Sequence, residues 1–158
     1  MTTTSQSDRE LVLDRHIAAP RQAVWRCLTE PDLLVQWFTP APWRTVKAEI
    51  DLKPGGRMLV VMADPEGKDY PNEGVYLEII EGEKLVWTDA YRCGWLPSDS
   101  PFMTAIITLS DAQEGCGYTA TARHFSAEDR EKHEKMGFKE GWNQAAEQLQ
   151  EIARTLAG

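Results

Sequence analysis

The sequence is poor in most of what recognisable chemistry requires. Its three cysteines, Cys27, Cys93 and Cys116, are widely spaced, which suits neither a disulfide framework nor a CxxC metal site, and they read as reduced thiols. Lys and Arg number 17 against 25 Asp and Glu, for a net charge of minus 8. No basic cluster is denser than the mixed run from Arg130 to Lys135, so the electrostatic footprint of a nucleic-acid binder is missing. No stretch approaches the ~20 apolar residues of a membrane span. Met1 to Asp8 has neither the basic nor the apolar region of a secretory leader, and a cytoplasmic location is expected. Histidines are few: His16 alternates to an outer strand face and His133 sits in a charged run. No His, Cys or carboxylate pair has ligand spacing, so neither a metal nor another cofactor is expected. A Ser-His-Asp signature, a nucleophile elbow and a phosphate loop are also absent.

What is present is a pattern of short strands followed by a long helix. At 158 residues and 42% hydrophobic content the chain suits a single domain over 10–158, preceded by a flexible tail over 1–9. Leu11, Leu13, Arg15 and Ile17 alternate as an edge-like strand does, and Pro20 stops it. Two short helices follow, the first with Val24, Trp25 and Leu28 on its apolar face, the second with Leu33, Leu34, Trp37 and Phe38. From Pro40 to Phe125 the punctuation is that of antiparallel strands. The inward residues read as Val46, Ala48, Ile50 and Leu52 on strand two, Val75, Leu77 and Ile79 on strand four, and Leu85, Trp87, Asp89 and Tyr91 on strand five. Strand six points Met103, Ala105, Ile107 and Leu109 inward; strand seven points Tyr118, Ala120, Ala122 and His124. Ser126 with Asp129 opens the last helix, roughly Asp129 to Leu156, whose stripe is Phe138, Trp142, Ala145, Ala146, Leu149, Ile152, Ala153 and Leu156. At about 1.5 Å per residue it would be roughly 40 Å long, enough to cross a small sheet. Gly137 and Gly141 weaken that helix and signal a close approach or a kink.

Several short motifs in this order carry a resemblance. Ala19-Pro20 with Val24-Trp25, Leu28-Thr29-Glu30-Pro31, Gln36-Trp37, Asp51-Leu52-Lys53-Pro54-Gly55-Gly56, Gly74 to Ile79, Lys84 to Thr88 and Gly141-Trp142 together resemble the SRPBCC superfamily. The likeness is to its branch similar to the C-terminal domain of the Hsp90 ATPase activator, and it runs from about Leu11 to Leu156. The resemblance implies an α+β helix-grip fold: a curved antiparallel sheet of about seven strands around a long C-terminal helix, with two short helices after strand one. It also implies an elongated cavity between sheet and helix, used by different members for lipids, hydrophobic natural products or aromatic intermediates. The eukaryotic activator contacts its chaperone through a large additional N-terminal domain; here the first strand starts near residue 10, so Hsp90 activation is not the expected activity.

Within such a cavity the informative positions are the polar ones, Arg15, Asp89, Tyr91, Tyr118 and His124. Asp89 should fall opposite the Ala105 region, with Ala122 or His124 at nearly the same level, about 9 to 10 Å away two strands over. Asp89 and His124 would then orient a ligand's polar group, or satisfy each other. Trp37, Trp87, Met103, Phe138 and Trp142 would enclose its apolar part, Trp37 as part of a gate. Met58 and Met62 offer adaptable walls. Trp25, Trp43 and Trp95 are expected to cap the core, and Glu128 to Lys135, with His133, to be solvated.

Three functional readings follow. The first is non-covalent binding of a small hydrophobic or amphipathic molecule, as carrier, sensor or sequestering protein. The second is a cyclase-like or dehydratase-like enzyme with His124 as acid or base, Asp89 tuning it and Arg15 or Tyr118 steadying an oxyanion. The third is a stress-related protein-interaction module, which requires an exposed apolar patch. Outward Thr45, Lys47, Glu49 and Asp51 speak against that patch. No catalytic residue is assigned. A homodimer through the sheet edge or helices would be ordinary.

Overall fold

The computed structural model describes residues 8–157. The tail expected over 1–9 thus lies, apart from Asp8 and Arg9, outside the described residues. Strand β1 (Glu10–Ile17) buries Leu11, Leu13 and Ile17 and leaves Val12, Asp14 and His16 outside, as the alternation requires. Helix α1 (Arg21–Thr29) starts one residue after Pro20, and α2 (Pro31–Leu34) is a single turn with Pro31 at its first position. Then come β2 (Arg44–Ile50), β3 (Arg57–Ala63), β4 (Asp69–Ile80) and β5 (Lys84–Thr88). A small hairpin, β6 (Tyr91–Arg92) with β7 (Leu96–Pro97), precedes β8 (Met103–Ala112) and β9 (Gly115–His124).

Seven of these strands form one curved antiparallel sheet in the order β1-β9-β8-β5-β4-β3-β2, which leaves β1 and β2 at the edges. Along β8 and β9 the alternation holds: Ala105, Ile107, Leu109, Tyr118, Ala120, Ala122 and His124 are buried on the concave face. Two bulges displace it elsewhere. Between Thr45 and Lys47 the β2 register shifts, so Thr45 is buried while Val46 is 41% exposed. Between Tyr76 and Glu78 the β4 register shifts, so Tyr76 takes the inner place beside Trp87 and Leu77 turns out at 39% exposure. Both corrections have one cause: an extra residue in one strand inverts parity at the bulge. Leu52 lies beyond the end of β2 and is exposed rather than inward.

The C-terminal helix is two helices. Ser126 accepts a hydrogen bond at Oγ from the Asp129 amide at 3.0 Å and caps α3 (Ala127–Lys135); α4 (Phe138–Ala157) follows. Gly137, at φ +93°, makes the break, in a conformation that a side-chain-bearing residue adopts only with strain. The grip therefore belongs to α4 alone, about 30 Å long at 1.5 Å per residue. It buries Phe138, Ala145, Ala146, Leu149 and Ala153 against the sheet and α1, with Trp142, Ile152 and Leu156 half-buried beside them. Gln148 Nε2 donates to the carbonyls of Trp37 at 2.9 Å and Thr39 at 3.0 Å, tying the end of α2 to α4. Among the described residues, no helix is long and apolar enough to cross a membrane.

Strand lengths are unequal, and this creates a notch. β4 has 12 residues and β5 has 5, and their pairing ends at Val75 with Thr88. The first half of β4, Asp69 to Gly74, pairs with β3 alone. At the parting point a Cβ on Gly74 would fall 2.2 Å from the Thr88 carbonyl oxygen, so only glycine lets the two strands cross this closely.

Candidate functional site

The notch holds a half-open cleft of about 120 Å³ on the concave side of the sheet. Its walls are Met58, Val60 and Met62 from β3, Trp87 from β5, Met103 from β8, and Phe38 from the segment after α2. The rings of Phe38 and Trp87 lie 6.4 Å apart, tilted by 46°. Asn72, Glu73 and Gly74 of β4 border it on one side and Thr88 and Asp89 on the other. The helix α4 does not line this cleft, which lies at the sheet's open corner. There, apolar walls surround a small polar margin, the usual composition of a ligand site, though at a fraction of the usual 300 to 1,000 Å³.

Asp89 follows the last residue of β5 and is held by its own loop. Its Oδ1 accepts hydrogen bonds from the amides of Phe102 at 2.8 Å and Met103 at 3.2 Å. Burial pushes its carboxyl above the ordinary value, partly offset by these amides and reinforced by the charge of Asp129. The expected pairing with His124 does not form. The register came close, since Met103 is the direct partner of His124 and the Asp89 amide donates to the Met103 carbonyl at 3.3 Å. The ladder ends at Thr88, however, so Asp89 leaves the strand and turns its carboxylate back onto the β7–β8 connection.

His124 finds its partners elsewhere. Its Nδ1 lies 2.7 Å from the Arg9 carbonyl oxygen, and its Nε2 lies 2.8 Å from Nδ1 of His133. A carbonyl only accepts, so Nδ1 of His124 carries a proton; between two neutral rings its Nε2 then accepts from Nδ1 of His133. His133 is buried, contrary to the solvated place expected of it. It packs against the rings of Phe102, Phe138 and Trp142 at centroid distances of 5.2, 5.2 and 5.9 Å. Desolvation, with His124 adding repulsion, drops its pKa to about 4. The pair docks α3 onto the end of β9. With one ring bound to a carbonyl and both in an apolar cage, its chemistry is that of a structural hydrogen bond.

Among the remaining candidates, Trp87, Asp89 and Met103 line the cleft, whereas Phe138 and Trp142 belong to the aromatic cage of His133. Trp37 is buried and fixed by its Nε1, which donates to the Cys27 carbonyl at 2.8 Å; its neighbour Phe38 forms the wall. Tyr118 is buried on the concave face, its phenol pushed up by desolvation, and does not reach the cleft. Arg15 binds Asn143 Oδ1 at 2.9 Å and the His16 carbonyl. Tyr91 is a correction: it lies on the β6–β7 hairpin, 39% exposed, stacked edge-on against Trp95 rather than facing inward. Trp95 is 54% exposed and caps nothing in the core. Sequence reading missed Phe38, Val60, Asn72, Gly74 and Thr88 as lining residues. Phe38 and Val60 were legible as apolar but not as cavity walls, because the notch arises from pairing between distant segments.

Comparison with known proteins bears on the fold. The family model described as Activator of Hsp90 ATPase homolog 1-like protein matches residues 18–154. The crystal structure of a protein from Nitrosomonas europaea is 42% identical, covering 95% of this chain and 97% of that one at a TM-score of 0.92. A Mycobacterium smegmatis protein is 24% identical over 93% and 91% of the two chains, with a TM-score of 0.77. The solution structure of an AHSA1-like protein from Aeromonas hydrophila is 15% identical over 93% of each chain at a TM-score of 0.71, a likeness of fold alone. No curated protein matches the chain.

Proposed function

The chain belongs to the Activator of Hsp90 ATPase homolog 1-like protein family, and from that premise we propose that it binds a small, largely apolar molecule non-covalently in the cleft beside Trp87. The observation that carries this reading is the cleft itself, with six apolar walls gathered from four separate segments around one corner of the sheet. Its size sets the ligand. A dry cavity of roughly 150 Å³ admits benzene, so about 120 Å³ accommodates a single ring or a short branched chain, with any larger part projecting through the open side. A ligand of that size has a dissociation constant on the order of 0.1 to 1 mM unless the projecting part adds contacts. A carrier or sensor of an abundant small molecule works in that range. The three free cysteines suit a reducing compartment such as the cytoplasm.

The enzyme reading lacks its central pair, because Asp89 and His124 are each committed to different partners. The protein-interaction reading has one observation in its favour: the β6–β7 hairpin presents Tyr91, Trp95 and Leu96 at 39%, 54% and 60% exposure. That reading predicts loss of a partner on Trp95→Ser with cleft binding unchanged.

The cleft is tested by titrating toluene into the protein and following the Trp87 indole and the Met103 methyl by NMR. Val60→Phe, which grows a ring from the β3 wall, should abolish those shifts while the fold is retained. Binding that survives Val60→Phe in a folded protein places the ligand elsewhere.

A further inference from the structure

We propose that the occupant of the cleft is an organic cation, a protonated amine carried on an apolar body about the size of one ring, held by Asp89 and the rings of Trp87 and Phe38. This deepens the binding reading above and rests on it. The charge balance of the lining is the starting point. No Lys, Arg or His borders the cleft, and two carboxylate residues do, Asp89 and Glu73. Glu73 pairs across the ladder with Leu59, which alternates away from Met58, Val60 and Met62. Its carboxylate is therefore on the opposite face of the sheet, 3.5 Å from Arg57. That leaves Asp89 as the charged residue at the margin of the cleft, and no described residue forms an ion pair with it.

That carboxylate is fixed and has capacity to spare. The Phe102 and Met103 amides both bind Oδ1, which locks the group's orientation, while Oδ2 takes no hydrogen bond from any described residue. A half-buried carboxylate without a counter-charge is held in its costly form, consistent with the upward push of burial on its proton affinity. An ammonium group restores the missing partner through a charge-assisted hydrogen bond. A bound carboxylate or phosphate would instead face uncompensated repulsion. The apolar walls point the same way. Trp presents the best aromatic face for a cation, a second ring stands 6.4 Å from it, and the thioethers of Met58, Met62 and Met103 are polarizable. A net charge of minus 8 enriches cations around the whole molecule.

The experiment uses three probes of nearly equal shape at pH 7: benzylamine as the cation, benzyl alcohol as the neutral form and benzoate as the anion. Binding is followed at the Trp87 indole and Met103 methyl resonances in the full chain and in Asp89→Asn, which keeps an oxygen for the two amides and removes the charge. The amine should bind about tenfold or more tighter than the alcohol, the advantage of a hydrogen bond to a charged group, and benzoate weakest of all. In Asp89→Asn the amine and alcohol should come within about twofold of each other, because the charge that favours the ammonium is gone. Equal binding of amine and alcohol by the wild-type protein overturns the cation assignment while leaving the cleft as a binding site. Retention of the amine preference in Asp89→Asn overturns the role of Asp89. Absence of binding by all three probes overturns the cleft reading and this inference with it. The wild-type series decides the matter even where the variant fails to fold.

Discussion

Lowering the pH from 6.5 towards 4 charges exposed histidines, and His133 resists that proton in the folded protein. Its pKa falls from 6.5 to about 4 because the ring is desolvated and His124 stands against it. The surrounding rings of Phe102, Phe138 and Trp142 oppose that direction, since cation–π attraction favours an imidazolium by roughly 0.5 to 2 kcal/mol. Desolvation outweighs it here because the ring is 9% exposed. Between pH 6.5 and 4 the unfolded chain then binds one proton that the native protein does not, so stability rises with pH across this window. The contribution is fully present above pH 6.5, is lost as the pH falls, and levels off below about 4. A displacement of 2.5 units, 6.5 minus 4, corresponds to a loss of about 3 kcal/mol.

Urea unfolding at half-unit steps from pH 7.5 to 4 measures this, with His133→Asn as the reference. The Asn amide can still donate to Nε2 of His124, where Nδ1 of His133 does so now at 2.8 Å, yet it does not titrate. The substitution costs ring packing, about 1 to 3 kcal/mol, equally at every pH. Carboxylates protonate alike in both proteins and cancel in the difference. Wild type should therefore lose its advantage over the variant progressively below pH 6.5, by about 3 kcal/mol at pH 4. Parallel pH profiles for the two proteins would show that His133 takes up its proton normally in the native state, and the argument from burial would fail.

Two further perturbations probe single residues. Tyr76 is fully buried, and its hydroxyl has no hydrogen-bond partner among the described residues; Tyr76→Phe should raise stability by about 1 kcal/mol in urea unfolding, and a loss of that size would show that the hydroxyl is satisfied in solution. Gly137→Ala should lower stability by about 1 kcal/mol or more, because the break between α3 and α4 needs φ +93° there; an unchanged melting temperature would mean that the two helices can join without that turn.

How far the sequence leads depends on whether a contact is local. Apolar alternation placed the inner faces of β1, β8 and β9 because those ladders run without a bulge over their pairing. It failed on β2 and β4 at the register shifts, where Val46 and Leu77 turn outward and no residue in the sequence marks the extra step, whereas Ala48, Ile50 and Ile79 beyond the shifts pack against the core as read. His133 was misplaced for a related reason. A helix continued through Gly137 keeps one stripe, in which His133 falls among charges. Ending the helix there restarts the phase, and Arg130 with His133, three apart, become the inward pair: Arg130 Nε donates to the Glu10 carbonyl and His133 Nδ1 to His124. The glycine is the available signal: the sequence suggests a close approach or a kink there, and the structure makes it a helix end.

The cleft belongs to a different category, because no segment contains it. It exists where β5 stops at Thr88 while β4 runs on alone beside β3, and its walls come from positions 38, 58, 60, 62, 72 to 74, 87 to 89 and 103. Each segment is ordinary by itself: a Val and Met strand, a Trp after a Val, a Phe after a short helix. The position of Asp89 follows from the same mismatch. Were β5 one residue longer, Asp89 would continue the ladder opposite Met103, and its side chain would enter the strand alternation instead of binding the amides of Phe102 and Met103. The strand's end thus both opens the space and turns the carboxylate to its margin. A relative with the same fold but a longer β5 would lose cleft and carboxylate together, so conservation of fold across this family does not by itself carry the binding chemistry from one member to another.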